Sequence, residues 1–509
     1  MPGEDMYFNS IQYAFFLAAV FLLNYISAAC IKKTIISQIF LLAASLFFYA
    51  CWKPAYLALI FLSVIITYSC AIFIERFSQT SKFPKMKSII LIFSLFSNLG
   101  ILFVFKYFNF FAATIHSSIK FNLLLPVGIS FYTFQALGYT IDVYRKKIPA
   151  EHNFVTYALF VTFFPQLVAG PIERAQNLLP QFKKVEKPSA EEIKAGLKLI
   201  AWGLFEKIVI ADRLALYVNN VYSQLQPATG CAVLLSTIFF CFQVLCDFSG
   251  YSNIAIGSAR ILGFKLSRNF RSPFFSKSMG ELWNRWHISL SSWFKDYVYI
   301  PLGGSRCFVL RHCLNLIIVM TLSGLWHGAG WHFVLWGFMH GLVLCAEVLF
   351  HKAKSAAKKI PATQMNSSNT GIRILKIFAT FTVFTLLAVS FRANSVPDFL
   401  YALKKITMIP SEISLALKTM FRHAPRYPLT AAINYLLFLH ESIDISAIVT
   451  SLVFIAILMT VSFITRKTDG CTLITRFPLP VRWLCYYALI FALIFYSVTE
   501  KTQFVYFQF

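Results

Sequence analysis

Charged residues are scarce in this 509-residue chain, because only 13% of its side chains are Asp, Glu, Lys or Arg, whereas 58% are hydrophobic. An average soluble domain carries about twice that charged fraction, so the composition excludes a soluble globular protein. Acidic residues are fewest, 21 against 46 Lys and Arg. This excess of positive charge does not indicate nucleic acid as a partner, because the cytoplasmic loops of membrane proteins collect Lys and Arg.

Several signatures of soluble enzymes and pumps are also missing. The eleven cysteines include no CxxC pair and no His/Cys cluster at metal-ligand spacing, so neither a metal site nor a disulfide framework is expected. The chain lacks a Gly-x-Ser-x-Gly elbow and a Walker phosphate loop, which argues against a Ser-His-Asp hydrolase and an ATP-driven pump. The absence of an internal repeat weakens the case for a transporter built from paired halves.

Long apolar segments recur along the chain, each near the ~20 residues that a helix needs to cross a bilayer. Segments such as 60–74 are apolar on nearly every face, which predicts helices and not the alternating strands of a barrel. The predicted fold class is therefore an all-α polytopic membrane protein with about 11–13 transmembrane helices, in one integral membrane domain over residues 1–509. The predicted crossings are 8–30, 36–52, 55–74, 88–111, 122–143, 199–218, 230–258, 313–326, 331–351, 372–391, 447–465 and 483–499.

Basic residues between the apolar segments set the orientation. Two lysines follow the first segment, and a basic triplet, Arg145 to Lys147, follows the fifth, so we expect these ends in the cytoplasm and the N-terminus outside. The piece 153–171 ends in a Gly-Pro pair and is interpreted as a re-entrant segment, since irregular backbone at membrane depth must be packed within protein. Residues 260–312 combine nine Lys or Arg with three Trp and are predicted to form basic helices at the cytoplasmic interface.

One histidine lies in an unusual setting. Basic residues flank the outer ends of 313–326 and 331–351, so the turn that these segments flank, Trp326 to Trp331, should point into the membrane. This turn contains His327 between a tryptophan and a glycine. An imidazole can accept a proton from an alcohol near neutral pH and return it. His327 is therefore the first candidate catalytic residue, and a hydrogen-bonded structural histidine is the alternative.

Two further regions carry polar groups among apolar ones. The run 281–297 contains Asn284, Trp286 and His287, although interfacial helices also collect Trp and Arg for structural reasons. Asp247 lies in the middle of a predicted crossing, where a carboxylate is destabilising unless it is paired or faces water. Small residues follow Asp247, so a role in helix packing is the alternative to a functional one.

Five short motifs occur in an order that is typical of one protein family. They are Ser130-Phe131-Tyr132-Thr133-Phe134-Gln135, Leu167-Val168-Ala169-Gly170-Pro171-Ile172, Asp247 to Tyr251, Trp286-His287-Ile288-Ser289-Leu290 and Trp326-His327-Gly328. With them the chain resembles the membrane-bound O-acyltransferase family, in particular the bacterial branch that contains the alginate O-acetylation membrane subunit. The resemblance covers most of 120–350 and touches the aromatic tail 504–509. Asn253 and Glu206 depart from the pattern, which has Asp and Lys there.

The resemblance implies a fold and a set of functional residues. The implied fold is a ring of tilted helices around a thin centre, where a cytoplasmic tunnel meets an outer funnel. His327 is implied as the catalytic residue and His287 as a second functional histidine, so that reagents from both sides of the membrane should reach His327. The predicted substrate-binding residues are Asp247, Asn284, Trp286 and Trp326.

The resemblance also implies a reaction, in which an acyl group, most simply acetyl, passes from a cytosolic thioester to a hydroxyl outside. Acetyl-CoA is the expected donor, and no permanently bound cofactor is expected. The expected location is the bacterial inner membrane, and the expected partners are membrane lipid, an extracytoplasmic acyltransferase of the SGNH type and an acceptor polysaccharide. Two alternatives stay open. Another branch of the family transfers D-alanine from an acyl carrier protein to teichoic acid, and a transporter would line its path with Asp247, His287 and His327.

Overall fold

The computed structural model describes residues 6–28, 34–79, 83, 85–168, 170–184, 186–358, 370–422, 428–439, 444–466, 474–498 and 504. Throughout this part of the chain the regular elements are helices, and none is a β-strand. In chain order they are α1 (Ile11–Ile26), α2 (Thr34–Ala50), α3 (Leu57–Ser78), α4 (Met86–Leu102), α5 (Phe108–Thr114), α6 (Ile129–Tyr144), α7 (Phe154–Thr162), α8 (Phe164–Leu167), α9 (Ala175–Phe182), α10 (Ala190–Leu204), α11 (Asp212–Ser223), α12 (Gly230–Ile261), α13 (Met279–Trp283), α14 (Ile288–Phe294), α15 (Val309–His327), α16 (Trp331–Lys358), α17 (Thr370–Arg392), α18 (Val396–Thr407), α19 (Ile409–Arg422), α20 (Leu429–Leu436), α21 (Ile445–Thr465) and α22 (Leu479–Phe495). The π-helical segments Phe103–Tyr107, Phe205–Ala211 and Lys295–Tyr299 continue α4, α10 and α14.

Seven helical segments in the described residues are long and apolar enough to cross a membrane. They are Pro54–Ser78, Met86–Thr114, Gly230–Ile261, Val309–His327, Trp331–Lys354, Thr370–Arg392 and Ile445–Thr465, and α1, α2 and α22 are shorter apolar helices. Large hydrophobic side chains stay exposed on these helices, for example Phe15 at 74% and Phe96 at 79%. Apolar surface of this extent requires a lipid environment. The predicted all-α polytopic membrane protein is thereby confirmed.

Two predicted crossings, 122–143 and 199–218, differ from these apolar helices. The first is helical only from Ile129, and fourteen of the 16 residues of α6 are buried. The second comprises the end of α10, a π-helical segment and the start of α11. Because α6 is enclosed by protein, it accommodates polar side chains such as Gln135 and Asp142, which would be costly against lipid.

The helices form two compact units. The first comprises Met1–Leu204, Gly250–Asn269 and Ile288–Val298, and the second comprises Phe205–Ser249, Phe270–His287 and Tyr299–Phe509. Each unit contains helices that are long and apolar enough to cross a membrane. The predicted single integral membrane domain stays a prediction.

In the first unit the segment α7–α9 runs along α2 and returns. Near the start of the segment, Thr156 donates a hydrogen bond of 3.1 Å to Gln38, and further on the backbone N–H of Phe164 donates one of 3.1 Å to Ser45. The chain then comes back to Gln38, whose amide donates to the carbonyl of Phe182 at 2.8 Å. Gln38 and Ser45 lie about 10 Å apart along the axis of α2. The segment therefore has the contour predicted for a re-entrant piece.

In the second unit α15 and α16 form a closely packed antiparallel hairpin. A Cβ at Gly324 would lie 2.2 Å from the backbone oxygen of Phe333, and a Cβ at Gly337 would lie 2.2 Å from that of Met320. The two backbones approach each other this closely because glycine has no side chain. The helices are joined by the non-helical residues 328–330, as the sequence predicts, and His327 is the last residue of α15.

The substitution Gly337→Ala should destabilise the protein, because its Cβ has no space beside the backbone of α15. Overpacking of this kind costs ~1–3 kcal/mol, so we expect a lower midpoint temperature of thermal unfolding in detergent. Gly100→Ala is the matched control, since Gly100 also lies in an apolar helix and nothing stands within 4 Å of a Cβ built there. The control should keep the midpoint or raise it slightly. Equal midpoints for the two variants would contradict the packing of the hairpin.

Candidate active site

His327 ends α15 inside a cluster of aromatic rings. Its side chain is enclosed, with the residue only 3% exposed. The centroid of the imidazole lies 5.2 Å from those of Trp326 and Trp336 and 5.3 Å from that of Phe391. These rings come from α15, α16 and α17, so the hairpin and the helix that follows it together surround one imidazole.

His287 joins the same cluster from the chain between α13 and α14. Its ring lies edge-on to Phe248 at a centroid distance of 4.5 Å and stands 5.8 Å from Trp326. Trp326 therefore contacts both histidines that the sequence singles out. The backbone of His287 has φ +42°, in the left-handed region that residues with a Cβ rarely adopt. Such strained conformations cluster at functional sites.

Enclosure also decides the protonation state of His287. Burial lowers the pKa of its imidazole to about 3, because a charged ring would lose its hydration in this apolar setting. Near neutral pH the ring is therefore uncharged. A neutral imidazole donates from one ring nitrogen and accepts at the other, so His287 can hold a polar substrate group without adding a charge to the site.

The rings leave the two histidines less accessible than the sequence predicts. The predicted site has a histidine that reagents from both faces of the membrane can reach, whereas His327 is 3% and His287 is 1% exposed. The physical reason is the number of large rings that pack around each imidazole. Trp336 and Phe391 are two of these rings.

Asp247, predicted to bind substrate, forms a buried ion pair. Its carboxylate lies 2.6 Å from the Nζ atom of Lys207, which also lies 2.7 Å from Asp212, and all three side chains are at most 4% exposed. Pairing of this kind is what a carboxylate at membrane depth requires. Phe248, the next residue after Asp247, contacts the ring of His287. The ion pair thus adjoins the aromatic cluster along the chain.

Sequence reasoning missed Lys207. The family pattern has a lysine at the position of Glu206, and the lysine stands one residue later. It lies in the π-helical segment Phe205–Ala211, and a π-helix changes which side chains share a helix face. A lysine next to the expected position, in an apolar stretch, was the signal that could have identified it.

The other two predicted substrate-binding residues lie in different environments. Trp286 is buried beside the histidine cluster, with ring centroids 5.2 Å from those of Phe270 and Phe384. Asn284 is exposed. The structure therefore brings His287, His327 and Trp326 together, places Trp286 in an adjoining aromatic layer and leaves Asn284 at the surface. Their roles in binding stay predictions.

A third buried histidine, His340, completes the cluster. Its ring lies 4.6 Å from that of Trp336 and 5.2 Å from that of Trp283. Neither ring nitrogen has a hydrogen-bond partner in the part of the chain that the structure describes. The spacing of one helical turn between Trp336 and His340 on α16 is the signal in the sequence that His340 joins the aromatic rings.

Comparison with known proteins gives consistent matches. Residues 144–389 match MBOAT, the membrane-bound O-acyltransferase family. A peptidoglycan O-acetyltransferase of Helicobacter pylori is 35% identical over 430 residues, which cover 78% of this chain and 79% of that protein. A "probable alginate O-acetylase" of Pseudomonas aeruginosa is 35% identical over 400 residues, covering 77% and 72%. A teichoic acid D-alanyltransferase of Streptococcus thermophilus is 30% identical over 283 residues, covering 52% and 68%.

The substitution Lys207→Met should strongly destabilise the protein. It leaves the carboxylates of Asp212 and Asp247 buried without their cation, and removal of one partner of a buried pair costs ~3–5 kcal/mol. We expect a marked fall in the thermal midpoint in detergent. Adding Asp247→Asn to this variant should recover part of the loss, because it removes one of the two uncompensated charges.

The matched control for this prediction is Lys194→Met. Lys194 pairs with Glu191 at the surface, where the side chains are 63% and 83% exposed, and such pairs contribute ~0–1 kcal/mol. A Lys207→Met protein as stable as the Lys194→Met protein would show that the buried ion pair does not stabilise the second unit.

Proposed function

Since the chain belongs to the membrane-bound O-acyltransferase family, and is therefore a multi-pass membrane enzyme that transfers acyl groups to hydroxyls, we propose that it carries acetyl from cytosolic acetyl-CoA to an acceptor outside the cytoplasm. The observation that carries this proposal is the enclosure of His327 among aromatic rings that it shares with His287. A base in such a place can act on a hydroxyl while water is kept away from the thioester.

His327 is the general base in this proposal. One of its ring nitrogens accepts the proton of the acceptor hydroxyl as the hydroxyl oxygen attacks the carbonyl carbon of the thioester. The carbon–sulfur bond then breaks, an ester forms, and the proton passes from His327 to the departing thiolate. The histidine is neutral again at the end, so each turnover converts one thioester and one alcohol into one ester and one thiol.

His287 positions the thioester. Its neutral ring can donate a hydrogen bond to the thioester carbonyl oxygen, where negative charge develops during the attack. The ring of Trp326 contacts both imidazoles, with centroid distances of 5.2 Å to His327 and 5.8 Å to His287. In this arrangement Trp326 sets their separation, and the basic residues of 260–312 attract the phosphates of the donor.

The acceptor is a polysaccharide outside the cytoplasm in this proposal. Two of the relatives are named for acetyl transfer to peptidoglycan and alginate, which supports a polysaccharide. We further propose that the chain resides in the bacterial inner membrane and passes the acetyl group to an extracytoplasmic partner of the SGNH type. Such a partner would complete the transfer, because a site embedded in the membrane cannot reach the hydroxyl groups along the whole length of a polysaccharide.

Replacement of the proposed base should remove activity without unfolding the protein. We expect His327→Ala to lower acetyl transfer by ~10²–10⁴-fold, the usual contribution of general acid–base catalysis. Transfer is measured with isotope-labelled acetyl-CoA added to inverted membrane vesicles, as label on an acceptor inside them. The thermal midpoint of the variant reports on folding.

His340→Ala is the matched control, because it also removes a buried imidazole from the aromatic cluster. It should keep most of the activity. Unchanged transfer by His327→Ala, or equal losses in the two variants, would refute the assignment of the base. Flux of an intact solute without covalent label on an acceptor would indicate a transporter.

A second candidate function is the transfer of D-alanine from an acyl carrier protein to teichoic acid, favoured by the 30% identity to a D-alanyltransferase. The two candidates differ in the cytosolic donor. We expect labelled acetyl-CoA to support transfer and a D-alanyl carrier protein to give none. The reverse result would identify the second function and leave the role of His327 to be tested with the new donor.

A further inference from the structure

The helix α16 carries one carboxylate, that of Glu347. Glu347 lies within Trp331–Lys354, a helical segment that is long and apolar enough to cross a membrane. A carboxylate in such a segment is destabilising unless it is paired, and the few that occur there usually serve a function. The groups that its two oxygens bind therefore indicate what Glu347 does.

Glu347 caps the short helix α13. One carboxylate oxygen accepts from the backbone N–H of Met279 at 2.6 Å, and the other accepts from that of Gly280 at 3.0 Å. Met279 and Gly280 are the first two residues of α13. The N–H groups at the start of a helix have no partner within it, and the helix dipole is positive there. The carboxylate satisfies both features.

The other N–H groups at the start of α13 are satisfied by the chain that leads into it. The hydroxyl of Ser278, the N-cap residue, accepts from the N–H of Glu281 at 3.1 Å, and the carbonyl of Ser278 accepts from that of Leu282 at 3.0 Å. The two groups that remain in the first turn are those that Glu347 binds. The local cap thus leaves two donors for α16 to satisfy.

The short length of α13 makes this contact important. The helix comprises only the five residues Met279–Trp283, and isolated helices shorter than ~12 residues are marginal in water. Contacts with other elements must therefore hold it in place. A hydrogen bond between an N–H group and a carboxylate is stronger than one between neutral groups, because the acceptor is charged.

The other end of α13 lies at the candidate active site. Its last residue, Trp283, packs edge-on against Trp336 at a centroid distance of 5.7 Å. The ring of Trp336 in turn stands 5.2 Å from the imidazole of His327. One end of α13 is therefore held by Glu347, and the other contacts a ring that touches the proposed base.

The chain from α13 to His287 has little freedom. The backbone N–H groups of Arg285 and Trp286 both donate to the carbonyl of Leu282, each at 2.9 Å, which extends the turn of the helix up to His287. His287 itself has φ +42°, a strained value that persists only where the surrounding structure determines it. A displacement of α13 would therefore displace His287.

Glu347 and His327 belong to the same hairpin. Glu347 lies on α16 and His327 ends α15, and the close backbone contacts at Gly324 and Gly337 join these helices. The hairpin contacts α13 at two places, through Glu347 at its first residues and through Trp336 at its last. Two separate contacts fix the orientation of α13 as well as its position.

We propose that Glu347 is a positioning residue, which holds α13 against α16 so that His287 keeps its place relative to His327. The proposal rests on the proposed function, in which His287 donates a hydrogen bond to the thioester carbonyl. Glu347 touches neither the substrate nor the reacting atoms in this scheme. It acts on the rate because a misplacement of ~1 Å in a catalytic group can lower the rate by ~100-fold.

Removal of the carboxylate should loosen α13. In Glu347→Ala we expect the backbone amides of 279–287 to exchange with deuterium ~10-fold faster or more, because two hydrogen bonds to a charged acceptor are lost. Hydrogen–deuterium exchange of the full chain in detergent, read by mass spectrometry, measures this without any substrate. Asp444→Ala is the matched control, since Asp444 also caps a helix of the second unit, at 2.9 Å from the N–H of Ala447. It should leave exchange over 279–287 unchanged.

The rate of acetyl transfer should fall with the same variant. We expect Glu347→Ala to lower kcat by ~10–100-fold and to leave KM nearly unchanged, because His287 is proposed to act on the charge that develops during the attack. Glu347→Gln keeps one of the two acceptor oxygens and should recover part of kcat. Asp444→Ala should keep the wild-type kcat. All rates are taken per folded protein, below the thermal midpoint of each variant.

A double-mutant cycle tests whether Glu347 acts through His287. If it does, its removal costs nothing further once His287 is absent, so His287→Ala and the double variant Glu347→Ala/His287→Ala should have equal kcat. Losses that multiply in the double variant would overturn the proposal. So would unchanged exchange over 279–287 in Glu347→Ala, or a kcat for that variant equal to that of Asp444→Ala.

Failure of the proposed function would give a different result. If His287→Ala transferred acetyl at the wild-type rate while exchange over 279–287 still depended on Glu347, the role of His287 in the proposed function would be refuted. The holding of α13 by Glu347 would be supported in that case, because the exchange measurement does not depend on the reaction.

Discussion

A polar group inside a membrane must be paired or enclosed by protein, and this constraint explains how the buried polar side chains of the second unit are arranged. The charge of Asp247 lies within an apolar helix, and it is tolerated because Lys207 stands 2.6 Å away. The imidazoles of His327 and His287 are surrounded by aromatic rings. The second unit thus contains two arrangements of polar groups, an ion pair around a carboxylate and aromatic rings around two imidazoles.

The sequence predicts much of this fold because each apolar segment can be recognised from its own residues, without knowledge of the helices that it contacts. The turn at His327 could be located from a glycine on one side, a tryptophan on the other and basic residues beyond both helices. The re-entrant segment could be located from the Gly-Pro pair at its end. In both cases the residues that carry the signal lie in or next to the segment itself. The physical rules that apply concern how a single segment meets lipid.

Other features depend on which helices meet, and a single sequence does not report that. Trp283 and Trp286 are predicted at the cytoplasmic interface, whereas both are buried against other rings. Tryptophan suits an interface and a protein interior equally well, so composition cannot separate the two. The pairing of Lys207 with Asp247 joins residues forty positions apart, and the carboxylate of Glu347 binds the start of α13, 68 positions before it in the chain.

The glycine contacts of the α15–α16 hairpin have a consequence for the surroundings of His327. Where the two backbones touch at the glycines, no side chain lies between the helices, so these contacts hold the two helices closely together. Of the rings around His327, Phe391 stands on α17, apart from this hairpin. Phe391 is thus the ring of this group whose position depends on α17, one residue before that helix ends. The helices α18–α20 follow α17 directly along the chain.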